Sequence, residues 1–487
     1  MIAPRKRGPR QLTARTVVTV IFAAVGVALT LVTAFHRITA AAHRPVTGTR
    51  AVAARLSHPA SGLRAMISRP PPGPLFRPGL WRSPLRGQWL TSVFGLILLC
   101  GLPVMAITGL LSYAAYDPRL PGNDETRGAS LLKFYLFPWP TDPSWLYRVN
   151  QGVHITLGLA LVPFVLLKLW SVLPRLFSWP PLRSPAHALE RLSLIMIVGG
   201  VLFEFVTGII NIQDYYVFPF SFYTAHLYGA WVFIAGLAVH VALKFPHMRA
   251  GLRSRSLRRE LRIPLADTLP EDPDPTGLRA ASPRAPTVSR RGLLAAAGGA
   301  SLTLAGLAAG QSVGGWTRWT SLFGPRGLSV AQSGTLPVNR TAVSIGLTDA
   351  DVGADYRLTL VGARTVTLSR PQVQALPQHT VVLPIACVEG WSAAAVWTGV
   401  RLADLAQLAG VRRPGLARVE SIERTGSFRH ADLTGGQVGD PRSLLALQVN
   451  GAELSRDHGY PARTIIPGAP GVHNTKWVSK ITFTDAA

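Results

Sequence analysis

Long apolar segments alternate with short polar and basic segments along the first 310 residues. The clearest apolar segments are 17–35, 91–115, 151–173, 192–212 and 224–245, and a weaker one, rich in Ala and Gly, covers 292–310. Each is long enough to cross about 30 Å of hydrocarbon as an α-helix. The pattern therefore predicts an all-α membrane region, with a four-helix bundle between 91 and 245.

The basic residues are distributed unevenly between the polar segments. Segment 66–90 has four arginines and no acid, 174–191 has three against one, and 244–262 has seven basic residues against one acid, whereas 116–150 has four of each. Because Lys and Arg stay on the cytoplasmic side, the first three segments are predicted to be cytoplasmic. This multi-pass topology in the cytoplasmic membrane accounts for most of the net charge of +26, and we predict no nucleic-acid partner.

The first 65 residues do not fit this charge distribution. They contain ten Lys and Arg residues and no acid, on both sides of segment 17–35, so a membrane-spanning helix there leaves basic residues outside. Two interpretations stay open: a real extra anchor, or a true start at Met66 with a mis-assigned extension before it. We favour the start at Met66, which gives a transmembrane domain of 66–262.

Segment 263–288 is polar and rich in Pro, Asp and Arg, which predicts a flexible cytoplasmic linker. Arg290 and Arg291 follow, directly before the weakly apolar run. A twin arginine at such a place is typical of a Tat export signal, and a basic helix flank is the alternative. We interpret 289–312 as an uncleaved signal and anchor. The Tat translocase is then a transient partner, and the C-terminal domain lies on the outer, periplasmic side.

Residues 328–487 have the pattern of a globular α+β domain rich in sheet. Short β-type runs at 356–361, 380–383 and 477–483 are separated by turn residues, and an apolar helical pattern covers 401–409. About 160 residues are enough to bury a hydrophobic core.

Three histidines lie within the predicted membrane helices: His154, His226 and His240. Ionisable side chains inside a bilayer are costly and usually functional. His154 and His226 are predicted at similar depth near the outer face, and the spacing from His226 to His240 gives about 21 Å of rise on nearly the same helical face. Facing imidazoles in a bundle can bind haem iron axially. We predict haem b, with histidines anchored at the headgroup level as the alternative.

Residues 84–245 resemble the cytochrome b subunits of formate dehydrogenase and hydrogenase, which are four-helix bundles with b haems. The resemblance implies that His154 and His226 ligate an outer haem. His240 falls on a ligand position of an inner haem, whose remaining ligand in that family is a histidine where this sequence has Gln88. One haem is therefore expected, the second lacks a ligand, and membrane quinol or quinone is the partner.

The predicted outer loops are strongly aromatic, which is typical of an interfacial belt and also of a docking surface for the exported domain. Both interpretations stay open. The residues concerned are Phe134, Tyr135, Phe137, Trp139, Trp145, Tyr215, Tyr216, Phe218, Phe220, Phe222 and Tyr223.

Cys387 is a lone cysteine of the exported domain, because the other cysteine, Cys100, lies in a membrane segment. A buried, inert thiol and a thiolate used in chemistry are the two alternatives. The stretch Cys-Val-Glu-Gly-Trp-Ser at 387–392, with Asp-His-Gly-Tyr-Pro-Ala-Arg at 457–463 and Lys-Trp-Val at 476–478, resembles the molybdopterin domain of the sulfite oxidase superfamily. The match is nearest the bacterial periplasmic methionine sulfoxide reductases. It implies that the Cys387 thiolate binds molybdenum.

The same resemblance, over about 335–485, assigns the contacts with Mo-molybdopterin. It implies that Arg463 and Lys476 bind the phosphate or the pterin, as a bidentate fork and a point charge. For His458 and Lys476, an ordinary surface role is the alternative. The further implied contacts are Asn339, Ser421, His458, Asn474 and Thr475.

Sulfite-oxidising members of this superfamily carry arginines just after the cysteine, where this sequence has Glu389, Gly390 and Trp391. A carboxylate beside molybdenum repels an anion such as sulfite, which favours a neutral S-oxide or N-oxide. The sequence thus predicts a membrane-anchored molybdenum oxidoreductase that passes electrons from quinol through haem b to the Mo-pterin centre. An oxidase that runs the electrons in the reverse direction and a non-catalytic pterin-binding module are alternatives.

Overall fold

The computed structural model describes most of the chain beyond residue 80. The described residues are 81–124, 137–177, 184–213, 215, 217–273, 277–314, 317, 320–322, 336–338, 340–426 and 428–486. The predicted segment 17–35 and residue Asn339 lie outside them. The chain divides into two compact units. The first unit holds the chain up to Ala106, Ala160–Val206 and His226–Thr303, and the second unit holds Ile107–Leu159, Thr207–Ala225 and Leu304–Ala487.

Five helices in the described part of the chain are long and apolar enough to cross a membrane. They are α1 (Gln88–Ala115), α2 (Leu146–Leu176), α3 (Pro185–Ile212), α4 (Phe222–Ser254) and, after the short α5 (Leu257–Glu260), α6 (Arg290–Val313). Their apolar runs coincide with the predicted segments between 91 and 310, which confirms these helices. Large apolar side chains on them are exposed, among them Leu166, Ile195 and Leu302, as is usual for surfaces that face an apolar environment.

Segment 263–288, predicted to be a flexible linker, is mostly exposed where it is described, and a few of its residues pack within the first unit. Glu271 is buried, and its carboxylate accepts the backbone N–H groups of Trp89 at 2.8 Å and Leu90 at 3.3 Å, at the start of α1. These N–H groups have no partner within the helix, and a negative charge is favourable at the positive end of the helix dipole. Gly87 permits the approach, because a Cβ there would overlap the Glu271 carboxylate.

The first of the twin arginines is buried in an ion pair of the first unit. Arg290 is 2% exposed, lies 3.3 Å from the Glu260 carboxylate and donates to the carbonyl of Leu269 at 2.9 Å. Arg291 is exposed. A buried charge is tolerated when it is paired and hydrogen-bonded, so Arg290 fixes the start of α6 to the segment before it. The export signal stays a prediction.

Two sheets form the α+β part of the second unit. The strands are β1 (Arg357–Val361), β2 (Thr365–Ser369), β3 (His379–Ala386), β4 (Ser392–Arg401), β5 (Pro414–Ser421), β6 (His430–Thr434), β7 (Leu444–Val449), β8 (Ala452–Glu453), β9 (Arg463–Ile465) and β10 (Val478–Asp485). The first sheet has the order β2-β1-β10-β5-β6, in which β1 and β10 are parallel; the second has the order β3-β4-β7-β8, with β9 paired to β7. The runs predicted at 356–361, 380–383 and 477–483 are confirmed as strands.

The apolar faces of the sheets form two buried clusters. Along β1, the alternate residues Leu358 and Leu360 are buried, as the period of two in a strand requires. They pack with Leu402 and Leu405 of α7 (Leu402–Leu408), which confirms the helix predicted at 401–409. The second cluster surrounds the end of β3 and the start of β4 and contains Cys387. The core therefore fixes the part of the chain that carries the cysteine.

The loop after α1 lies against an edge of the first sheet, within the second unit. Asn123 sits beside the edge strand β6, where its carboxamide accepts the N–H of Asp432 at 2.8 Å and donates to the carbonyl of Asp432 at 2.9 Å. The Asp432 carboxylate accepts the N–H of Gly122 at 2.8 Å and pairs with Arg418, with Nε at 2.7 Å. The loop after α1 is thereby joined to the sheet by both backbone and side-chain groups.

The aromatic residues of the predicted outer loops divide between the two interpretations. Phe137 and Trp139 are buried and pack in a cluster that includes Ala386, and Trp139 Nε1 donates to the carbonyl of Gly468 at 2.8 Å. Trp145 is 51% exposed. The first two residues therefore dock the loop on the domain, while Trp145 keeps the exposure expected of an interfacial residue.

Candidate functional site

Cys387 lies in a tight turn between β3 and β4. Its N–H donates to the carbonyl of Trp391 at 3.0 Å, and the N–H of Gly390 donates to the carbonyl of Cys387 at 3.1 Å. Gly390 has a φ of 91°, in the region that favours glycine. Cys387 is 2% exposed, and it lines a cavity. The turn thus holds the thiol at a fixed place in the cavity wall.

The cavity beside the thiol has a volume of about 1130 Å³, counting its open mouth. Gly471 faces the sulfur: a Cβ added there would lie 3.3 Å from Sγ, so glycine keeps this space open. Five of the predicted cofactor contacts line the cavity together with Cys387, namely His458, Arg463, Asn474, Thr475 and Lys476. The fold therefore brings residues of distant motifs to one place.

Two buried cations belong to the cavity wall. Arg463, at the start of β9, donates to the carbonyls of His458 and Asn474 at 3.1 Å each, and Lys476 Nζ donates to the carbonyl of Asp457 at 3.1 Å. Burial lowers the pKa of Arg463 to about 10 and the pKa of Lys476 to about 7. Because burial of a charge is costly unless it is paired, an anionic group bound in the cavity would stabilise both cations.

Three polar atoms of the cavity wall have no hydrogen-bond partner among the described residues: Trp391 Nε1, Arg463 Nε and Thr475 Oγ1. All three residues are buried, and an unpaired buried polar group costs about 1–3 kcal/mol. A ligand that offers several acceptors would remove this cost. Trp391 was not among the predicted contacts, although its position next to the cysteine and its need for a partner when buried were visible in the sequence.

The Cys387 thiol has a buried carboxylate as its neighbour. Burial raises the pKa of Cys387 well above its usual value, and Glu389 raises it further. In the protein alone the thiol is therefore protonated at neutral pH. Direct coordination to a metal cation removes that proton, so the position suits a metal ligand better than a free nucleophile.

His458 is built into the cavity wall. Its Nε2 donates to the carbonyl of Leu336 at 3.1 Å, and its Nδ1 lies 2.7 Å from the Ser455 hydroxyl. Burial lowers its pKa, which keeps the ring neutral at pH 7. His458 is 5% exposed, which excludes the surface role considered for it. Both ring nitrogens of His458 therefore have partners within the protein.

Asn474 and Ser421 occupy different places. The Asn474 Oδ1 accepts the N–H of Ile466 at 2.8 Å, and Nδ2 donates to the carbonyl of Pro470 at 3.3 Å, so this carboxamide shapes the loop around the cavity. Ser421, at the end of β5, accepts the N–H of Glu423 at 3.1 Å and lines a neighbouring cleft rather than the cavity of Cys387. Among the described predicted contacts, Ser421 is the one that the fold leaves apart.

Arg340 and Glu423 also line the cavity, and sequence reasoning missed both. They form an ion pair at 2.6 Å. Arg340 directly follows the predicted contact Asn339, which was a usable signal. Glu423 comes from the segment after β5, where no motif exists, and only the pairing of β5 with β10 brings it to the site.

Two of the predicted haem ligands have polar partners on neighbouring helices. In the second unit, Nδ1 of His154 on α2 lies 2.9 Å from the hydroxyl of Thr108 on α1. In the first unit, Nδ1 of His226 on α4 lies 3.1 Å from the carboxylate of Glu204 on α3. Sequence reasoning missed Glu204, although an acid in the middle of an apolar helix is a signal in itself.

His240 lines a cavity of the first unit. The cavity is lined mostly by apolar side chains, and Gln88, Lys168 and His247 also contribute to its wall. In the described part of the chain, no group of three or more His, Cys, Asp or Glu residues could hold a metal ion. Axial ligation of a haem needs only two histidines, so this finding does not bear on it.

The turn that carries Cys387 also rests on helix ends of the second unit. Gln151 on α2 donates through Nε2 to the carbonyl of Val388 at 2.8 Å, and Ser312 at the end of α6 donates to the carbonyl of Gly390 at 2.6 Å. All of these groups are buried. The strands hold the turn from one side, and the helix ends hold it from the other.

Residues 345–487 match the family model described as the oxidoreductase molybdopterin binding domain. The mitochondrial sulfite oxidase of Drosophila melanogaster is 34% identical over 157 residues, which are 27% of this chain and 27% of that protein. The sulfite oxidase of Arabidopsis thaliana is 29% identical over 161 residues, which are 26% of this chain and 41% of that protein. An uncharacterized oxidoreductase of Bacillus subtilis is 34% identical over 118 residues, which are 24% of this chain and 58% of that protein.

These matches cover part of each protein. The chain spans between 27% and 58% of the length of the three curated relatives. Among solved structures, the sulfane dehydrogenase SoxCD of Paracoccus pantotrophus is 24% identical, and the match covers 28% of this chain and 39% of that chain with a TM-score of 0.26. A score this low supports no structural argument.

Proposed function

We propose that this chain, whose C-terminal part carries an oxidoreductase molybdopterin-binding domain of the sulfite oxidase family, is a membrane-anchored molybdenum reductase. Quinol in the membrane supplies electrons, haem b in the helical region passes them on, and a neutral S-oxide or N-oxide is reduced at the Cys387 centre on the outer side. The observation that carries the proposal is the cavity in which Cys387, two buried cations and three unpaired polar atoms meet.

The residues of this cavity fit Mo-molybdopterin. Cys387 offers a soft thiolate ligand for molybdenum. Arg463 and Lys476 offer positive charge to the pterin phosphate, and Trp391 and Thr475 offer polar groups that lack partners in the protein. When bound, the cofactor supplies two-electron oxygen-atom transfer, while the protein binds it, orients it and limits access of water.

Glu389 favours an uncharged substrate. Its carboxylate is buried next to Cys387, where the low polarity of the surroundings strengthens its repulsion of anions such as sulfite. In the reduction of an S-oxide, the S–O bond breaks, two electrons and two protons are consumed, and the oxygen leaves as water. The products are a sulfide and water, both neutral, so neither binding nor release brings a second negative charge to the site.

The helical part supports the role of an electron relay. Five helices are long and apolar enough to cross a membrane, and the basic segment 244–262 favours a cytoplasmic position for the end of α4. His154 and His226 are proposed as the ligands of one haem, because a polar partner at Nδ1 fixes each ring, as is usual for ligating histidines. His240 would serve a second haem, for which Gln88 stands where a histidine is expected.

The variant Cys387→Ser tests the proposal, and Cys100→Ser is its matched control because the chain has two cysteines. The detergent-solubilised protein is reduced, its visible spectrum is recorded, and methionine sulfoxide is added. We expect a b-type haem band that the sulfoxide reoxidises in the wild type and in Cys100→Ser. In Cys387→Ser we expect the band to stay reduced and bound molybdenum to be lost.

Two results would overturn the proposal. Absence of a haem band in the wild type would make His154 and His226 structural and remove the relay. A wild-type haem that reduces but is not reoxidised by sulfoxides or N-oxides would exclude the reductase direction.

A second candidate is the reverse reaction, in which a small reduced substrate is oxidised and its electrons enter the membrane. The curated relatives favour it, since two of them are sulfite oxidases. It predicts that a reduced substrate such as sulfite reduces the oxidised haem in the same assay. The reductase proposal predicts no such reduction by sulfite, because Glu389 repels the anion.

A further inference from the structure

We infer that Gln151 is a positioning residue of the Cys387 centre and joins the helix that carries His154 to the turn that carries the cysteine. The inference rests on the proposed transfer of electrons from haem to molybdenum. It adds the residue that connects the helix of His154 to the turn of Cys387. Gln151 donates to the carbonyl of Val388, the residue that follows Cys387.

The carboxamide of Gln151 is fixed at both ends. Its Oε1 accepts the hydroxyl of Ser112 at 3.0 Å, and its Nε2 donates to the carbonyl of Val388 at 2.8 Å. Because a carbonyl can only accept, the amino group of Gln151 must point to Val388, and the serine hydroxyl then donates to Oε1. Gln151 is 4% exposed, so water does not compete for these bonds. The carbonyl of Val388 also accepts Nδ2 of Asn211 on α3 at 3.4 Å, which is a longer hydrogen bond than the one from Gln151.

The rest of the turn is held by residues of α6. Gln311 donates to the carbonyl of Glu389 at 3.5 Å, and Ser312 donates to the carbonyl of Gly390 at 2.6 Å. A Cβ at Gly390 would lie 2.8 Å from Cγ1 of Ile155. Gln311 and Ser312 belong to α6, so the hydrogen bond from Gln151 is distinct in tying the turn to α2, the helix of His154.

The connection between His154 and Cys387 is short. Gln151 and His154 lie three positions apart on α2, within one helical turn, and Val388 is bonded to Cys387. The path consists of one helical turn, one hydrogen bond, the backbone of Val388 and the peptide bond between Val388 and Cys387. Electronic coupling decays more slowly through bonds and hydrogen bonds than across a gap. An apolar side chain at position 151 would replace the hydrogen bond by a gap.

The first test needs no cofactor. In a Cys100→Ser background Cys387 is the sole thiol, so its alkylation by a maleimide reports the position of the turn in protein made without molybdopterin. Gln151→Leu is expected to raise the alkylation rate about tenfold, the equivalent of one lost hydrogen bond. Ser312→Ala, which removes one hydrogen bond between the same turn and α6, is expected to raise it to a similar extent. An unchanged rate in Gln151→Leu would exclude the positioning role.

The second test separates positioning from coupling. Reduced haem is mixed with methionine sulfoxide in a stopped-flow instrument. Gln151→Leu is expected to slow haem reoxidation by about tenfold or more, and Ser312→Ala clearly less. Turnover driven by reduced benzyl viologen, which can reach the Cys387 centre from solution, is expected to be similar in the two variants. Gln151→Glu keeps the size but not the donor and replaces Gln151→Leu if that variant does not fold.

The outcomes distinguish this inference from the proposed function. Wild-type haem that sulfoxide reoxidises, together with unchanged reoxidation in Gln151→Leu, overturns the inference and leaves the function standing. Equal slowing in Gln151→Leu and Ser312→Ala reduces Gln151 to one support among several and overturns the coupling role. A wild type without sulfoxide-dependent reoxidation overturns the proposed function, while the alkylation test still decides the positioning role.

Discussion

Lys476 makes the stability of the cofactor-free protein depend on pH. Burial lowers its pKa to about 7, whereas an unperturbed lysine has a pKa of about 10.4. Between these two pKa values the unfolded chain binds a proton at this lysine that the folded protein does not. The contribution of Lys476 to the free energy of unfolding therefore rises with pH between about 7 and 10.4, and it is lowest below pH 7. Lys476→Met is expected to flatten this rise in thermal unfolding measured from pH 7 to pH 10.

A matched control for this prediction is Lys480→Met. Lys480 is a lysine of β10 with 45% exposure, so its removal is expected to leave the pH dependence as it is. If thermal stability rose by the same amount from pH 7 to pH 10 in Lys476→Met and in the wild type, a group other than Lys476 would be the one that titrates in this range.

Gly390 is expected to be poorly replaceable. Its φ is 91°, and a Cβ would meet Cγ1 of Ile155 at 2.8 Å. Gly451 has a φ of 79° and nothing within 4 Å of an added Cβ, so Gly451→Ala adds backbone strain of about 1–2 kcal/mol and no overlap. Gly390→Ala should lower the melting temperature more than Gly451→Ala and also reduce bound molybdenum. Equal melting temperatures in the two variants would show that α2 does not press on the turn.

At the scale of elements, Glu271 is expected to stabilise the start of α1. Glu271→Ala removes the acceptor of two backbone N–H groups and is expected to cost about 0.5–2 kcal/mol, visible as a lower melting temperature. Asp272→Ala is the control, because Asp272 is an exposed acid at the next position. Equal melting temperatures in the two variants would mean that the contact of Glu271 with α1 adds nothing to stability.

The sequence predicts the long helices, but it does not predict how the segment between α5 and α6 packs. The long helices follow from hydropathy, because an apolar run of this length has few other structures. The packing of 263–288 does not follow, because Glu271 meets backbone groups that lie 182 and 181 positions away. Composition indicates a polar segment, but it does not indicate that the carboxylate of Glu271 accepts backbone N–H groups at the start of α1.

Those residues of the candidate site that belong to recognisable motifs could be predicted from the sequence. Cys387, Arg463 and Lys476 stand in recognisable stretches, and the fold brings them to one cavity. Glu423 and Gln151 could not be predicted, because strand pairing and helix packing place them there without a motif of their own. Ser421 shows the opposite limit: a position near a motif does not ensure that the side chain faces the cavity.

The compact units follow packing rather than the order of the sequence. Each of the five long helices contributes residues to both units. The predicted division into 66–262 and 328–487 therefore stays a prediction about the chain, while the turn of Cys387 belongs to the same unit as the helix ends that hold it.

The contact of Asn123 with β6 has a consequence for aggregation. β6 is an edge strand of its sheet, and such edges tend to pair with the edges of other molecules. The Asn123 carboxamide occupies both the N–H and the carbonyl of Asp432, as the next strand of a foreign sheet would. The loop after α1 thus blocks edge-to-edge pairing at Asp432, so copies of this chain that crowd together have one fewer site at which their sheets could join.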